Sequence, residues 1–400
     1  MLRIRTLAMN FTPRCRQVLA TAALLTCGVT APAPAQPFYN SYYLYLGDHP
    51  SGRSPGFHKN VQGIAHDNDH WYISQARKIW RIPVSHNLDS VSASDPGVSV
   101  LSITSHPVLG AYNHIGDIVC YTHRGIDYLI LPLEGQNLAP AIAVLRCNSD
   151  MTYIAHAPIT TQKGLAWVAV DNRGSLYSSE FSRPTSFQKY SVEWDHLYNT
   201  FPPVLSIRLV DDYPIRDENG SRLVLHSAQG GEFSPEGNLL YVSTGYYKDT
   251  DPVAEGIHVF DAQSWRRVQH STNGRGYFNY QFELDGSIWD EAEGLTIWDL
   301  DDGRAPGIRG QLHVLLLDNN AGTPDEICLK HYRGTISVDH THVGMEDGTP
   351  ARPFNTVAEA SGMAWNGAQI NIRAGNYLEA VTISERVRLT AEGDIVRIGQ

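Results

Sequence analysis

Short apolar runs separated by turn residues recur from about residue 36 to residue 336. These runs are rich in Tyr, Trp, Val and Ile, and Gly, Asn, Asp and Pro separate them. One unit repeats: a glycine beside a polar residue opens an apolar strand, and a turn leads to an aromatic-rich strand. The clearest copy is Gly230–Gly237, followed by Leu239–Ser243 and Ile257–Asp261. Recurrence of one strand-and-turn unit predicts an all-β fold in which each copy forms a blade of a β-propeller.

The unit occurs five times, so five blades are predicted. The spacings of 48 to 67 residues between copies exceed the ~40–45 residues of a compact blade and indicate inserted loops. Six blades are the alternative, because Tyr42–Tyr45 supplies a further closing strand and residues 190–215 have room for a degenerate blade. The copies centre on Gly63, Gly116, Gly164, Gly231 and Gly294.

The last 64 residues, 337–400, have a different pattern. A short helix is predicted from about Val357 to Trp365, and short strands follow one another from Gln369 onward. The segment resembles the opening turn of a right-handed parallel β-helix of the pectin-lyase type. A solenoid needs at least three repeats to bury its core. We therefore expect either a fragment or strands that dock on the propeller or on another chain.

Residues 1–35 have the layout of a secretory signal. They contain four arginines and no acid, an apolar run of about twelve residues, too short to cross a bilayer, and a small-x-small site at Ala33–Ala35. We expect cleavage after Ala35 and a secreted or periplasmic protein. A lipid anchor on Cys27 is the alternative. No later segment is long and apolar enough to span a membrane.

Charge and motifs exclude several classes of function. The chain has a formal net charge of −11, which becomes −15 without residues 1–35 and argues against nucleic acid and anionic lipid as partners. No Walker loop, dinucleotide fingerprint, Gly-x-Ser-x-Gly or His-Glu-x-x-His motif occurs. No nucleotide or flavin cofactor is therefore expected.

Polar residues at the starts of the innermost strands are the first candidate site. In a propeller these strands line the central channel, so Gln62, Asp117, Glu232 and Glu293 are predicted to converge at one mouth. Three carboxylates and an amide suit Ca²⁺. The alternative is that they bind ordered water and backbone amides. Glu232 and Glu293 also suggest a glycosidase, because such an enzyme needs two carboxyl groups on either side of the sugar.

Histidines form the second candidate set. His66 and His114 are predicted catalytic bases, with His58 nearby in the sequence, because imidazole exchanges protons near neutral pH. Asn113, beside His114, is a predicted ligand-binding residue. Among the three cysteines after residue 35, Cys120 and Cys147 are the expected disulfide pair, with free buried thiols as the alternative.

The blade openings resemble those of the NHL and gluconolactonase-like propellers. The matching phrases are Gln62-Gly63-Ile64, Glu293-Gly294-Leu295 and Asn238–Ser243. The resemblance covers roughly 270 residues and implies the fold. It also implies a channel metal at Glu293, although the metal-binding asparagines of that family have no counterpart here.

Two functions follow from these features. The first is an exported propeller that binds a glycan or a protein through its channel mouth and loops. The alternative is a metal-dependent hydrolase of the lactonase type, with Ca²⁺ held by Asp117, Glu232 and Glu293.

Overall fold

The computed structural model describes residues 42–245, 256–272, 275–276, 290–318, 325–346, 348–364 and 367–399. The predicted signal, its cleavage site and Cys27 lie outside the described residues. The described chain is predominantly β. No described helix is long and apolar enough to cross a membrane.

Most described strands form antiparallel sheets that follow one another along the chain. The N-terminal strand is β1 (Tyr42–Asp48). The first sheet contains β2 (Val61–His66), β3 (His70–Gln75), β4 (Lys78–Pro83) and β5 (Ser99–Ser102). The second contains β6 (His114–Ile115), β7 (Val119–His123), β8 (Ile126–Glu134), β9 (Ala141–Arg146) and β10 (Tyr153–Pro158). A 3-10 turn at Leu109–Ala111 precedes it.

The remaining sheets continue this order. The third contains β11 (Ala169–Val170), β12 (Leu176–Ser178), β13 (Ser186–Val192) and β14 (Ile207–Pro214), with the short helix α1 (His196–Asn199) between its last two strands. The fourth contains β15 (Ala228–Phe233), β16 (Leu239–Thr244), β17 (Gly256–Asp261), β18 (Arg267–Thr272) and β19 (Arg275–Gly276). The fifth begins with β20 (Asp290–Ile297), β21 (Leu312–Asp318) and β22 (Glu326–Val338).

The sheets close into a ring, which makes the fold a β-propeller. The innermost strands of consecutive sheets contact one another, and β20 of the last sheet contacts β2 of the first. Strand β1 pairs antiparallel with β22, so the start of the described chain completes the last sheet. Ring closure of this kind leaves a propeller with only short, protected sheet edges.

Turn chemistry in the hairpins agrees with the sequence. The Asp67 carboxylate accepts hydrogen bonds from the amides of Asp69 and His70, both at 2.7 Å, and closes the turn between β2 and β3. Asp171 caps the equivalent turn of the third sheet, where Gly174 has a φ of +80°. An Asx turn at Asp67–His70 therefore joins β2 to β3.

Parallel strands extend the fifth sheet at the C-terminal end. The end of β22 pairs in parallel with β23 (Gln369–Tyr377), and β23 pairs in parallel with β24 (Arg388–Ile398). Between β22 and β23 lies α2 (Val357–Met363), which begins with a capping box formed by Thr356 and Glu359.

The C-terminal strands share a core with the propeller. Ile336, Val357 and Ile370 belong to one buried apolar cluster together with Tyr241 and Val314 of the fourth and fifth sheets. Strand β22 also continues through the predicted domain boundary between residues 336 and 337. The C-terminal segment therefore buries its apolar side against the last two sheets.

Candidate functional site

Asp117 lies at the centre of the ring and connects all of the described sheets. Its carboxylate accepts hydrogen bonds from the amides of Ile64 and Gly231, both at 3.0 Å, and from the amide of Leu295. Its own amide donates to the carbonyl oxygen of Ala166 at 2.7 Å, beside the third sheet. The side chain is fully buried. Burial holds the pKa of Asp117 well above its ordinary value, outweighing these amide donors.

The repeated glycines make this arrangement sterically feasible. A Cβ on Gly63 or on Gly294 would lie closer than 3.0 Å to Asp117, and one on Gly116 would overlap the carbonyl group of Ala166. The inner strands therefore approach more closely than any other residue type permits. The glycine that recurs in the sequence marks the places where neighbouring blades meet at the axis.

A polar cavity of about 870 Å³ opens at one end of the channel, which we call the first mouth. This volume is typical of ligand-binding pockets. Its residues come from several sheets and from the loops before them. They are Asn60, Gln62, His114, Glu134, Lys163, Gly164, Ala166, Glu180, Phe181, Ser182, Gln229, Glu291, Glu293 and Leu317.

Four of these side chains form a continuous chain of contacts across the first mouth. The Gln62 Nε2 donates to Glu293 Oε1 at 3.1 Å and to the Val61 carbonyl oxygen at 2.8 Å. The amide oxygen of Gln62 therefore faces His114 Nε2, at 2.5 Å. The other ring nitrogen of His114 lies 3.1 Å from Glu134 Oε2. The order across the mouth is thus carboxyl, amide, imidazole, carboxylate.

The two carboxyl groups at the ends of this chain have opposite electrostatic environments. Glu293 is 2% exposed, and burial together with the charges of Glu291 and Asp117 raises its pKa well above the ordinary value. Burial acts in the same direction on Glu134, but contacts with His114 and the Leu165 amide outweigh it and lower the pKa of Glu134. The first mouth therefore combines a carboxyl group that favours its proton with one that favours its charge.

Other residues at the first mouth were missed by sequence reasoning. Glu180 accepts hydrogen bonds from the amides of Lys163 and Gly164 at 2.8 and 3.1 Å, and Gln229 Nε2 donates to Glu291 at 3.3 Å. Glu291 lies two residues before Glu293 on the same strand, so strand periodicity was a signal for it. No sequence signal pointed to Glu180.

A second, smaller cavity of about 270 Å³ lies at the opposite ends of the inner strands, and we call it the second mouth. Both Glu232 and His66 line it, together with Asp67, Asn68, Cys120, Thr122, Asp127, Phe233, Pro235 and Ile297. Burial raises the pKa of Glu232 to about 8. His66 stacks on Trp298 at 4.3 Å between ring centres, and burial lowers its pKa.

The structure therefore brings together only part of the predicted site. Gln62, His114 and Glu293 meet at the first mouth, whereas Glu232 and His66 lie at the second. Asn113 lines neither cavity, and its backbone N–H donates to the backbone carbonyl oxygen of Glu134 at 3.0 Å. His58 Nδ1 contacts the Pro55 carbonyl oxygen at 2.5 Å, also away from both cavities.

The three carboxylates predicted to hold Ca²⁺ do not all lie at one mouth of the channel. Asp117 already binds backbone amides from three sheets, and Glu232 and Glu293 lie at opposite mouths. Within the described ranges, no group of three or more His, Cys, Asp or Glu side chains is arranged to hold a metal ion. The Ca²⁺ site stays a prediction.

Cys120 and Cys147 are neighbours, as the sequence predicts for a pair. Their sulfur atoms lie 3.7 Å apart, and Cys120 lines the second mouth. Burial raises the pKa of the Cys120 thiol well above its ordinary value. Cys328 is buried elsewhere, where its sulfur accepts from the Gly52 amide at 3.0 Å. The disulfide between Cys120 and Cys147 stays a prediction.

Fold and cavity together define a β-propeller with a polar pocket at one end of its central channel. Neither a protein-family model nor a curated protein sequence matches the chain. Solved propellers do resemble it. A GH43_1 enzyme from Xanthomonas citri is 12% identical, with a TM-score of 0.41, over 68% of this chain and 87% of that chain.

Two further solved structures have the same kind of similarity. A GH43 β-xylosidase/α-arabinofuranosidase from a compost microbial metagenome is 13% identical, with a TM-score of 0.43, over 72% of this chain and 94% of that chain. A putative gluconolactonase is 13% identical, with a TM-score of 0.34, over 66% of this chain and 72% of that chain. These similarities concern the fold alone, and no residue role is taken from them.

Proposed function

We propose that this protein binds a glycan at the first mouth. The cavity of about 870 Å³ that is lined by carboxylates, side-chain amides and Phe181 carries this proposal. Sugars present hydroxyl groups that pair with carboxylates and amides, and they present C–H faces that pack on aromatic rings. The hydrogen bonds that hold Gln62 and Glu134 in place fix these groups before a ligand arrives. Preorganisation of this kind reduces the entropy cost of binding.

Calorimetric titration of residues 36–400 with xylo-, arabino-, gluco- and galacto-oligosaccharides tests the proposal. Gln62→Ala removes an amide from the first mouth and should weaken binding about tenfold or more, since each tenfold is about 1.4 kcal/mol. Asn68→Ala removes an amide from the second mouth and is the matched control. Equal weakening by both variants, or heat from none of the sugars, would contradict the proposal.

We propose no metal-dependent lactonase, because the described carboxylates do not converge on one cation. A protein ligand at the first mouth is the other outcome of the binding experiment. It would be indicated if none of the oligosaccharides binds and if Gln62→Ala weakens the binding of a protein partner.

We further propose that the ring has five blades, one for each of the sheets that close it, and that residues 337–400 form the first coils of a parallel β-helix. The parallel pairing of β22, β23 and β24 supports the second point. Export through residues 1–35 completes the proposal. The intact mass of the secreted product should match a chain that begins at Gln36, with that glutamine either open or cyclised to pyroglutamate, and a product that retains residues 1–35 would contradict the proposal.

A further inference from the structure

We infer that the glycan bound at the first mouth is an amino sugar, whose ammonium group donates to Oε2 of Glu293. This inference rests on the proposed glycan function and names the class of sugar. It concerns recognition alone. Sugars that carry only hydroxyl or N-acetyl groups should bind in the same cavity more weakly.

The most deeply buried part of the first mouth consists of polar side chains, and we call it the floor. It comprises Gln229 and Glu291, each 7% exposed, and Glu293, 2% exposed, and all three line the cavity. A polar group that water hardly reaches costs free energy unless it has a hydrogen-bond partner. The floor is therefore suited to hold a polar part of a ligand.

Two acceptor atoms of the floor have no donor within the described protein. Gln62 Nε2 donates to Oε1 of Glu293, and Gln229 Nε2 donates to Glu291. Among the described residues, no hydrogen bond reaches Oε2 of Glu293 or the side-chain oxygen of Gln229. A ligand group that completes these contacts must be a donor.

Charge favours an ammonium group as that donor. Of the described residues that line the cavity, the acidic ones are Glu134, Glu180, Glu291 and Glu293, and the basic ones are Lys163 and His114. An ammonium group is positive, has three N–H donors and accepts nothing, whereas a hydroxyl group has one donor and two acceptor lone pairs. Hydrogen bonds between charged groups are roughly twice as strong as neutral ones.

The structure also supports the ion pair that such a ligand would form. An opposite charge at hydrogen-bond distance favours the ionised form of a carboxyl group. A buried ion pair needs further hydrogen bonds to offset desolvation, and Gln62 supplies one to Oε1 of Glu293 at 3.1 Å. Gln62 in turn donates to the Val61 carbonyl oxygen at 2.8 Å, so the acceptor is held in place before the ligand binds.

The rest of the cavity wall favours a sugar over a linear polyamine as the carrier of the ammonium group. Asn60, Phe181 and Ser182 also line the cavity. Their amide, ring and hydroxyl groups match the hydroxyl groups and C–H face of a sugar ring. A linear polyamine has neither of these features and would use the carboxylates alone.

Calorimetric titration with matched sugars tests the inference. The probes are tetramers of glucosamine and of galactosamine, each compared with its N-acetylated and its hydroxyl counterpart. The titrations are run at pH 6, where an amine is protonated, and with EDTA, so that no metal ion occupies the carboxylates. At least one amino tetramer should bind about tenfold or more tighter than both of its neutral counterparts, which should still bind measurably.

Glu293→Gln removes the charge and keeps the size of the side chain. It should abolish the preference, so that the amino tetramer and its two counterparts bind within about threefold of one another. Glu236→Gln is the matched control, because Glu236 is also a half-buried glutamate but lines neither mouth. It should keep the wild-type preference. The comparison of sugars on the wild type stands even if Glu293→Gln fails to fold.

Three results would overturn the inference. They are neutral tetramers that bind as tightly as both amino tetramers, a preference that survives in Glu293→Gln, and spermidine that binds as tightly as the amino tetramers. The first two leave the proposed glycan function intact, because a sugar still binds. If no sugar binds, charged or neutral, the proposed glycan function fails as well.

Discussion

Glu293→Gln should stabilise the protein at neutral pH. The substitution keeps the size of the side chain and the oxygen that accepts from Gln62 Nε2. It removes only the ionisable group, which is 2% exposed and close to Glu291 and Asp117. A difference in stability between the variant and the wild type that changes with pH therefore reports the charge on this carboxyl group.

The magnitude follows from proton linkage. The pKa of Glu293 is raised in the folded protein, so its stabilising contribution is fully present below the unfolded value of about 4.3 and is lost as the pH rises towards the folded value. The loss is about 1.4 kcal/mol per pH unit. The gain of Glu293→Gln over wild type should therefore begin near pH 4.3, grow by at most about 1.4 kcal/mol for each pH unit above it, and level off at the pKa of the folded protein.

Urea denaturation at pH 4, 5, 6 and 7 measures this difference. The free-energy gap between Glu293→Gln and wild type should be small at pH 4 and widen with each step. Glu193→Gln, at an exposed position, is the matched control for loss of one carboxyl group. A gap that is equally large at pH 4 and pH 7 would refute the reasoning, because a pH-independent gain would come from packing.

Three further predictions concern other parts of the fold. Burial lowers the pKa of His331 to about 3, so the protein should lose stability as pH falls below the unfolded value of about 6.5, and His331→Gln should show a shallower loss in urea melts between pH 6.5 and 4. Gly63→Ala forces a Cβ against Asp117 and should destabilise the protein by about 3 kcal/mol or more. Gly125→Ala, with nothing near its Cβ, should cost less in the same melts, even though Gly125 has a positive φ and Gly63 does not. Mild oxidation should join Cys120 to Cys147, seen as a loss of two hydrogens by mass spectrometry, and should raise stability by about 3 kcal/mol; Cys120→Ser should abolish both effects.

The sequence predicts the ring because its signal has a steric cause. Gly63, Gly116 and Gly294 recur where inner strands approach so closely that a Cβ has no room. The Asp67 turn is equally local, since its carboxylate accepts from the amides two and three residues further on. Structural features that depend on contacts between residues close in sequence, or on one contact repeated in every blade, can be predicted from the sequence.

The sequence did not show at which mouth of the channel each side chain lies. Gln62 and Glu293 precede their glycines, whereas Glu232 follows Gly231. A shift along an inner strand moves a side chain towards the other end of the channel, and bulges in β2, β15 and β20 shift the register at these glycines. Gln229, which precedes Gly230, is the residue of the fourth sheet that reaches the first mouth.

Glu134 shows a further limit of sequence reasoning. It is the last residue of β8, the middle strand of its sheet, and at the first mouth it lies opposite His114 of β6. It contacts His114 and the Leu165 amide, and His114 in turn contacts Gln62 of another sheet. Nothing in the sequence around Glu134 records these partners.

The energetics of the first mouth favour a functional origin for its carboxyl groups. A buried carboxyl group whose pKa is raised destabilises the folded protein at neutral pH, and a glutamine of the same shape would satisfy Gln62 without that cost. Asp117 differs, because its carboxylate ties three sheets together through backbone amides. Glu293 makes one side-chain hydrogen bond among the described contacts and faces a cavity. A costly group that the fold does not need, placed where a ligand has room to bind, is typical of a functional site.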